Sequence, residues 1–492
     1  MENKIKFYMA FFFVFMVSFP SFLWAGPKQV GSVGFTCGVV TAGPEGGELR
    51  FLGEGEPLYE NDVITTSKKS FAIINMIDDS KITLRSKTVF AIEEYSFKEK
   101  KGKALFRLFK GGLRVAAGLI AKISPRNGYR MHTPTAVLGV RGTEFDARLC
   151  EDDCSEEADE VEIREGVEKL FPVAGRVSHL KGTLIARSTD GKERVVIKGG
   201  PVYEGDTLET GRRDIAVIVF LDNSRIALHG ETSFKVEQYR YRGKKNDNIF
   251  FRLTRGGLRV LSGLMAKRNA TRFKLGTPTA VLGVRGTGYD VILQGSITGS
   301  GQDQYSEKDF PQNPIEPLTA DIGAGTPEEN GMFIHVWEDA IEVQSIHGII
   351  VMNQDQTLFL PYEGDPVFLP SVPVFMRETP VPRPDKEIID MDELFGTMEL
   401  KENPPGLYVS VYDGHVTVEN EKGIVELGRN EAAYVDPQTR TPIRLEEIPD
   451  FQLYDRFPRP ENFDKFQQGV MEFVVDGIGG LEGQKDYNCE IQ

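Results

Sequence analysis

The chain has 492 residues, 40% of them hydrophobic and 27% charged, with a formal net charge of −15. That composition belongs to folded protein of two to four domains and excludes a disordered or fibrous chain. The excess of acid excludes general nucleic-acid binding, because a polyanion needs a basic surface to displace its counterions.

Taken in chain order, residues 1–25 come first. Lys4 and Lys6 precede the apolar run "FYMAFFFVFMVSF", and "FLWA" ends at Ala25 before Gly26. A charged start, a short apolar stretch and a small residue form the pattern of a secretory signal peptide, which implies a periplasmic or secreted mature chain. An uncleaved N-terminal anchor is the alternative. No later window holds about 18 consecutive apolar residues, so no membrane span is expected after signal cleavage.

Four cysteines fit an exported chain. Cys150 and Cys154, in "LCEDDCSEE", are expected to form a small-loop disulfide. A metal pair is the alternative, but it needs two more ligands, and no His or Cys lies near in sequence. Cys37 and Cys489 are the remaining two, with their pairing left open.

The chain then repeats itself at a spacing near 144 residues. "YENDVITTSKKSFAIINMIDDSKITL" matches "YEGDTLETGRRDIAVIVFLDNSRIAL", "LFRLFKGGLRVAAGLIAK" matches "FFRLTRGGLRVLSGLMAK", and "TPTAVLGVRGT" occurs unchanged at 133–143 and 277–287. That period is too long for a solenoid unit and marks a tandem domain duplication. "FAIINMI" and "IAVIVFL" are β-branched runs, each followed by "DDS" or "DNS" and a second short run, the signature of a hairpin. Asp62 and Asp206 stand where a carboxylate can fold onto nearby backbone N–H groups and fix a turn. Helical periodicity is absent from both copies, so each module is expected to be all-β.

Beyond the second copy, residues 295–330 are rich in Gly, Ser, Pro and acids and read as a loop insertion. "MFIHVWEDAIEVQSIHGIIVMNQDQTLFL" resumes β patterning. The stretch 361–405 reads as a Pro-rich, extended linker. Residues 406–436 form a further strand segment whose cadence resembles 331–360, and 437–492 form a tail with a helix expected around "ENFDKFQQGVMEFVVD". The expected division is therefore 1–25, 26–170, 171–360, 361–405, 406–436 and 437–492.

The repeated block invites a phosphate-binding reading, but it lacks the P-loop Lys and runs on into strand where a helix N-terminus would be needed. The structural reading gives each residue type a task. Gly139 and Gly142, like Gly283 and Gly286, permit positive φ or close backbone approach inside a strand. Pro134 and Pro278 keep their N–H out of the ladder and hold Thr133 and Thr277 extended. Arg141 and Arg285 offer fixed donors to free carbonyls or a carboxylate, and Thr143 and Thr287 close the block. An exposed contact for a partner is the alternative role for the two arginines. No catalytic residue, cofactor or metal site is nominated: His132 becomes Gly276 and Glu144 becomes Gly288 in the second copy, and no hydrolase motif occurs. The basic stretches 98–103 and 240–245 read as solvated hairpin tips or as contacts for an anionic glycan.

The "GDTLETG", "LDNSRIAL", "GGLRV" and "TPTAVLGVRGTGYDV" run, with its first-copy equivalent, resembles the FecR domain, a β-rich extracytoplasmic module of bacteria. The two copies cover roughly residues 30 to 360, and Asn61 replaces the usual Gly. In the family's namesake regulators this domain receives a signal from an outer-membrane transporter and passes it through a membrane helix to a segment controlling a sigma factor. This chain departs from that plan in having a signal peptide, no internal membrane helix and no anti-sigma segment ahead of the β modules. The expectation is a non-enzymatic envelope module that binds a protein or glycan partner. The alternative is an accessory periplasmic sensor working with a separate anti-sigma regulator, and an exported hydrolase is a third reading.

Overall fold

The computed structural model describes residues 27–455 and 457, apart from 99–100, 124–127, 152, 161–172, 243, 245–246, 269, 296–329 and 401. The signal peptide expected at 1–25, the helix expected near 461–476 and most of the insertion expected at 295–330 lie outside the described residues. The fold is all-β: two large sheets, one of 15 strands and one of 16, each curled around its own core. Within each, the run of strands follows the duplicated sequence. Phe71–Met76 pairs with Lys81–Leu84, and Ile215–Phe220 pairs with Arg225–Leu228. The polar turns between them place Asp79 and Asn223 at φ of 66° and 61°, the left-handed region that Asp and Asn tolerate best among side-chain-bearing residues. Asn61 stands at φ 74° where the second copy has Gly205 at 88°, which is why Asn can replace that Gly.

Each module also holds one crossover. Tyr129–His132 runs parallel to Lys101–Ala116, and Phe273–Gly276 runs parallel to Asn248–Arg255. A parallel pair needs a connection that returns over the sheet, and the short helices Leu119–Ile123 and Leu264–Arg268 supply it. These single-turn elements are too short to show a helical period in sequence.

The division of the chain differs from the expected one. The closing strand of the second module, Ala280–Gln294, pairs antiparallel with Gly331–Ser345, from Ala280 opposite Ser345 to Gln294 opposite Gly331. The closing strand of the first, Val137–Cys150, pairs in the same register with Gly406–Asn420, from Val137 opposite Glu419 to Cys150 opposite Gly406. Residues 406–436 are thus an integral part of the first sheet, where a separate segment had been expected. Leu407, Val409, Val411, Val416, Val418, Leu427, Ala433 and Val435 sit in the same apolar cluster as Val30, Ile64, Phe90 and Phe106. The physical reason is the free edge of Val137–Cys150, whose backbone groups need a partner and whose inward side chains need cover. The second module, from Val173 to Leu369, is inserted between the two parts of the first.

The stretch expected to be a linker at 361–405 is packed. Val367–Leu369 adds a strand to the second sheet. Val381 is buried against Ile215, Val217 and Ala227 on the sheet's outer face. This explains why Ile215–Phe220 is apolar at every position: its inner face meets the core and its outer face meets this segment. Among the described residues no helix is long and apolar enough to cross a membrane.

Candidate functional site

The sequence-predicted carboxylates sit in one repeated arrangement. Asp62 Oδ2 accepts from the Tyr59 N–H at 2.8 Å, and Asp206 Oδ2 accepts from the Tyr203 N–H at 2.7 Å. Each carboxylate is also held by both arms of an arginine. Arg50 Nη1 reaches Asp62 Oδ1 at 2.8 Å and Arg194 Nη1 reaches Asp206 Oδ1 at 2.8 Å, with Nη2 on the second oxygen in each case. The same guanidinium groups lie over the rings of Tyr59 and Tyr203, 5.0 and 4.9 Å from the centroids. Sequence reasoning found the aspartates and missed the arginines, although Arg50 and Arg194 recur at the module's own spacing.

In the repeated block, Thr133 and Thr277 make a tight turn. Thr133 Oγ1 accepts from the Ala136 N–H at 3.0 Å and Thr277 Oγ1 accepts from the Ala280 N–H at 3.0 Å. Pro134 and Pro278 occupy the second position of these turns, where their fixed φ suits the fold-back. The ladder with the return strand then slips at Arg141/Glu144 and at Arg285/Gly288, a bulge in both copies. Gly142 and Gly286 stand there at φ of 52° and 70°. Gly139 and Gly283 are different from expectation. Neither has a positive φ, and a Cβ would come no nearer than 3.6 Å to Thr417 or 3.9 Å to Glu342, which is ordinary contact. Arg141 is half-buried opposite His415, and Arg285 lies opposite Ala340. The side chains of Thr143 and Arg285 lie outside what is described. Thr287 Oγ1 donates to the Ala340 carbonyl at 2.7 Å and so ties the bulge to the return strand.

A disulfide joins Cys150 to Cys154 where the first closing strand ends and the helix Asp153–Glu160 begins. It holds that acidic helix against the sheet, where Arg148 Nη2 reaches Asp153 at 2.8 Å and Glu157 at 2.7 Å. Burial and the neighbouring Arg85 lower the Arg148 pKa against the pull of these acids. Cys37 is disulfide-bonded as well, while Cys489 lies outside the described residues. In the second module, His229 and Ile292 take the places of Arg85 and Arg148. They line an open cleft of about 580 Å³ together with Arg255 and Leu293. Burial lowers the His229 pKa to about 4, and its Nε2 is covered without a hydrogen-bond partner.

The feature with the most chemistry lies on the outer face of each sheet. Arg114 Nε and Nη2 grip Asp146 at 2.8 and 2.7 Å, and the Tyr412 hydroxyl lies 3.0 Å from Asp146 Oδ2. In the second module Arg259 grips Asp290 at 3.1 and 3.0 Å, and Trp337 Nε1 donates to Asp290 Oδ1 at 2.9 Å. Both arginines keep one arm free of the aspartate and spend it on a chain segment crossing the face. Arg114 Nη1 donates to the Phe457 carbonyl and Arg259 Nη1 donates to the Val381 carbonyl, each at 2.8 Å. Burial works to lower the Arg114 pKa, but Asp146 and Asp455 outweigh it and hold the group well above its ordinary value. The Tyr412 hydroxyl is pushed up by burial and by Asp146. On each face, a fixed arginine donor thus meets a main-chain oxygen of the chain's own crossing segment.

The two modules meet through the first module's return hairpin. Arg176, 1% exposed, pairs with Glu431, and its Nη1 donates to the carbonyls of Gly199 at 2.8 Å and Glu426 at 3.2 Å. Arg429 lies over the Tyr203 ring, 5.3 Å from its centroid. Arg444 donates to the Glu426 carbonyl from the other side, and burial with the nearby Arg176 lowers its pKa to about 10.

The family model described as "FecR protein" matches residues 62–167 and 206–300, one segment in each module. No curated protein matches the chain. Two crystal structures of a proposed anti-sigma factor from Parabacteroides distasonis are similar at 12% and 11% identity, each with a TM-score of 0.22. Each alignment covers 33% of this chain and 58% of that one, so the chain spans less than two thirds of that protein's length. The matched segments coincide with the two copies of the repeat and with the two sheets they build: this is a protein of two tandem FecR-like domains.

Proposed function

We propose that this chain is an accessory sensor in cell-surface signalling, a non-enzymatic protein that works outside the cytoplasm and engages a separate membrane-bound anti-sigma regulator. The observation that carries the reading is the FecR match on both modules, since the FecR domain of the namesake regulators is the part that receives the outer-membrane signal. The Cys150–Cys154 disulfide supports an oxidising compartment. The positions the two copies share are mostly Gly, Pro, aliphatic and turn residues, which supports a scaffold role over catalysis. The buried Arg176–Glu431 contact supports transmission between the modules, because a shift of one then moves the other.

The sequence alone favoured an envelope-binding or assembly module. The sensor reading ranks above it because the family match is to a signal-relaying domain. Deleting the gene and following transcription of the sigma-dependent operons decides between them. A sensor changes the induced level of at least one such operon, and the tagged chain co-purifies with a membrane regulator. Unchanged transcription across those operons would sink the sensor.

A further inference from the structure

The segments that cross the outer faces are themselves a repeat. Pro373–Val381, "PVFMRETPV", and Pro449–Phe457, "PDFQLYDRF", follow the last strand of their modules, and "PRP" comes next in the sequence both times. Each opens with one helical turn, Val374–Arg377 or Asp450–Leu453, set on a proline. Phe375 packs edge-on against Phe333 at 5.1 Å, and Phe451 packs edge-on against Tyr408 at 5.2 Å. Each then makes a turn in which a side-chain oxygen accepts the N–H two residues on. The Val381 N–H points to Thr379 Oγ1 at 3.3 Å and the Phe457 N–H to Asp455 Oδ1 at 3.0 Å. The apolar anchor follows. Val381 lies on Ile215 and Val217, and Phe457 lies on their counterparts Phe71 and Ile73.

What recurs here is a backbone path and two anchor positions, while the side chains between them differ. Neither segment is laddered into a sheet. Each is held by arginine donors on its carbonyls and by apolar anchors, Phe451 and Val381 being buried and Phe375 more exposed, which is how grooves recognise short peptides. The first module adds a charge selector. The Asp455 carboxylate sits 3.0 Å from Arg85 and 3.3 Å from Arg114, and the Arg85 guanidinium lies 4.9 Å over the Phe457 ring. The second module has His229 in place of Arg85 and Thr379 in place of Asp455, so its groove and its segment are both neutral there.

We propose that this face of each module is a peptide-binding groove whose ligand is supplied in cis, and that the first-module groove also takes such a peptide from a partner polypeptide. The ligand is an extended segment with an aromatic anchor on a short helical turn, an acid four residues on, and a second aromatic two residues after the acid. The acid is the selective element: apart from it, Arg114 has Asp146 and Arg85 has only the half-exposed Glu157, so a peptide lacking it leaves two buried guanidinium groups short of one counter-charge. The cis segment then occupies the site until a better ligand displaces it. This holds whether or not the chain works in signalling.

The test uses the whole chain with a protease site introduced at the exposed pair Glu446 and Glu447, just before the segment. After cleavage, a fluorescent synthetic peptide of residues 449–461 is added and its uptake followed by anisotropy. The proposal expects saturable one-to-one uptake with release of the cut fragment. It expects affinity to fall about tenfold or more when the peptide carries Asp455→Asn, as loss of a charged hydrogen-bonding group costs, or Phe457→Ala, which removes the ring packed on Phe71 and under Arg85. The peptide of residues 373–385, which has Thr379 at the position of that acid, should bind the first groove at least as weakly. In the uncut chain, Asp455→Asn in cis should raise uptake of the unmodified peptide. Four results would each overturn the proposal: no uptake after cleavage, equal binding of the substituted peptides, collapse of the sheet on cleavage, or exchange between copies of the chain in place of peptide uptake.

Discussion

Asp62 and Asp206 show how a single carboxylate organises a module. Each is nearly fully buried, accepts a backbone N–H and receives both arms of an arginine. Replacing Asp206 by Ala leaves Arg194 without its counter-charge and the Tyr203 N–H without its acceptor. The expected loss is about 3 kcal/mol, read as a lowered urea midpoint of the second module. The aspartates were legible because turn chemistry is local; the arginines were not, because their role depends on a strand twelve residues away folding back. His229 makes a second residue-scale case. Its folded pKa of about 4 lies below the ordinary 6.5, so the unfolded chain binds more protons between those values. Stability contributed by the neutral ring is present above pH 6.5 and is lost as pH falls toward 4. The loss is about 3 kcal/mol in the limit. The pH 7 to pH 4.5 drop in urea midpoint should be smaller in His229→Gln than in the parent chain; an equal drop would show that His229 does not carry it.

At the scale of elements, the crossing segments decide the strand patterns beneath them. Ile215–Phe220, and Phe71–Met76 apart from Asn75, are apolar on both faces because each is covered twice. From sequence the same runs read correctly as strands, but the cover could not be assigned: Pro-rich composition signals extended chain without saying whether water or protein lies beside it. Only the recurrence of "PRP" at 382–384 and 458–460 marked the two segments as equivalent. The second segment carries its own reporter. Arg383 stacks on Trp337, with its guanidinium 4.1 Å from the ring centroid, and Trp24 and Trp337 are the two tryptophans of the sequence. In a chain beginning at Gly26, Arg259→Ala removes the donor to the Val381 carbonyl and should loosen this segment. Trp337 emission is then expected to shift to longer wavelength, with its quenching by acrylamide rising severalfold. Unaltered emission would mean that the anchors alone hold the segment.

For the whole molecule, the nesting of one module inside the other is the main departure from what the sequence shows. The repeat was plain, since shared turns and strands are local patterns, and the similarity of 406–436 to 331–360 was visible. Which sheet a strand joins is a non-local fact, set by a free edge and an unfilled core far back in the chain. Cys150 and Gly406 are register partners, so the ends of the first module's two parts lie side by side. Replacing residues 161–400 with a short Gly/Ser linker should therefore give a folded single module with a cooperative unfolding transition. The complementary chain, stopped at residue 400, should expose the edge of Val137–Cys150 and aggregate, which light scattering would detect. Folding order is constrained as well. The ribosome releases residues 27–150 first, yet their sheet has no closing partner until Gly406–Asn420 emerges, after the inserted module is complete. The later-made module can finish first, and the earlier one must wait with an open edge. A transcript or chain broken anywhere before those strands yields a first module that cannot close, so completion of that sheet reports that translation has passed them.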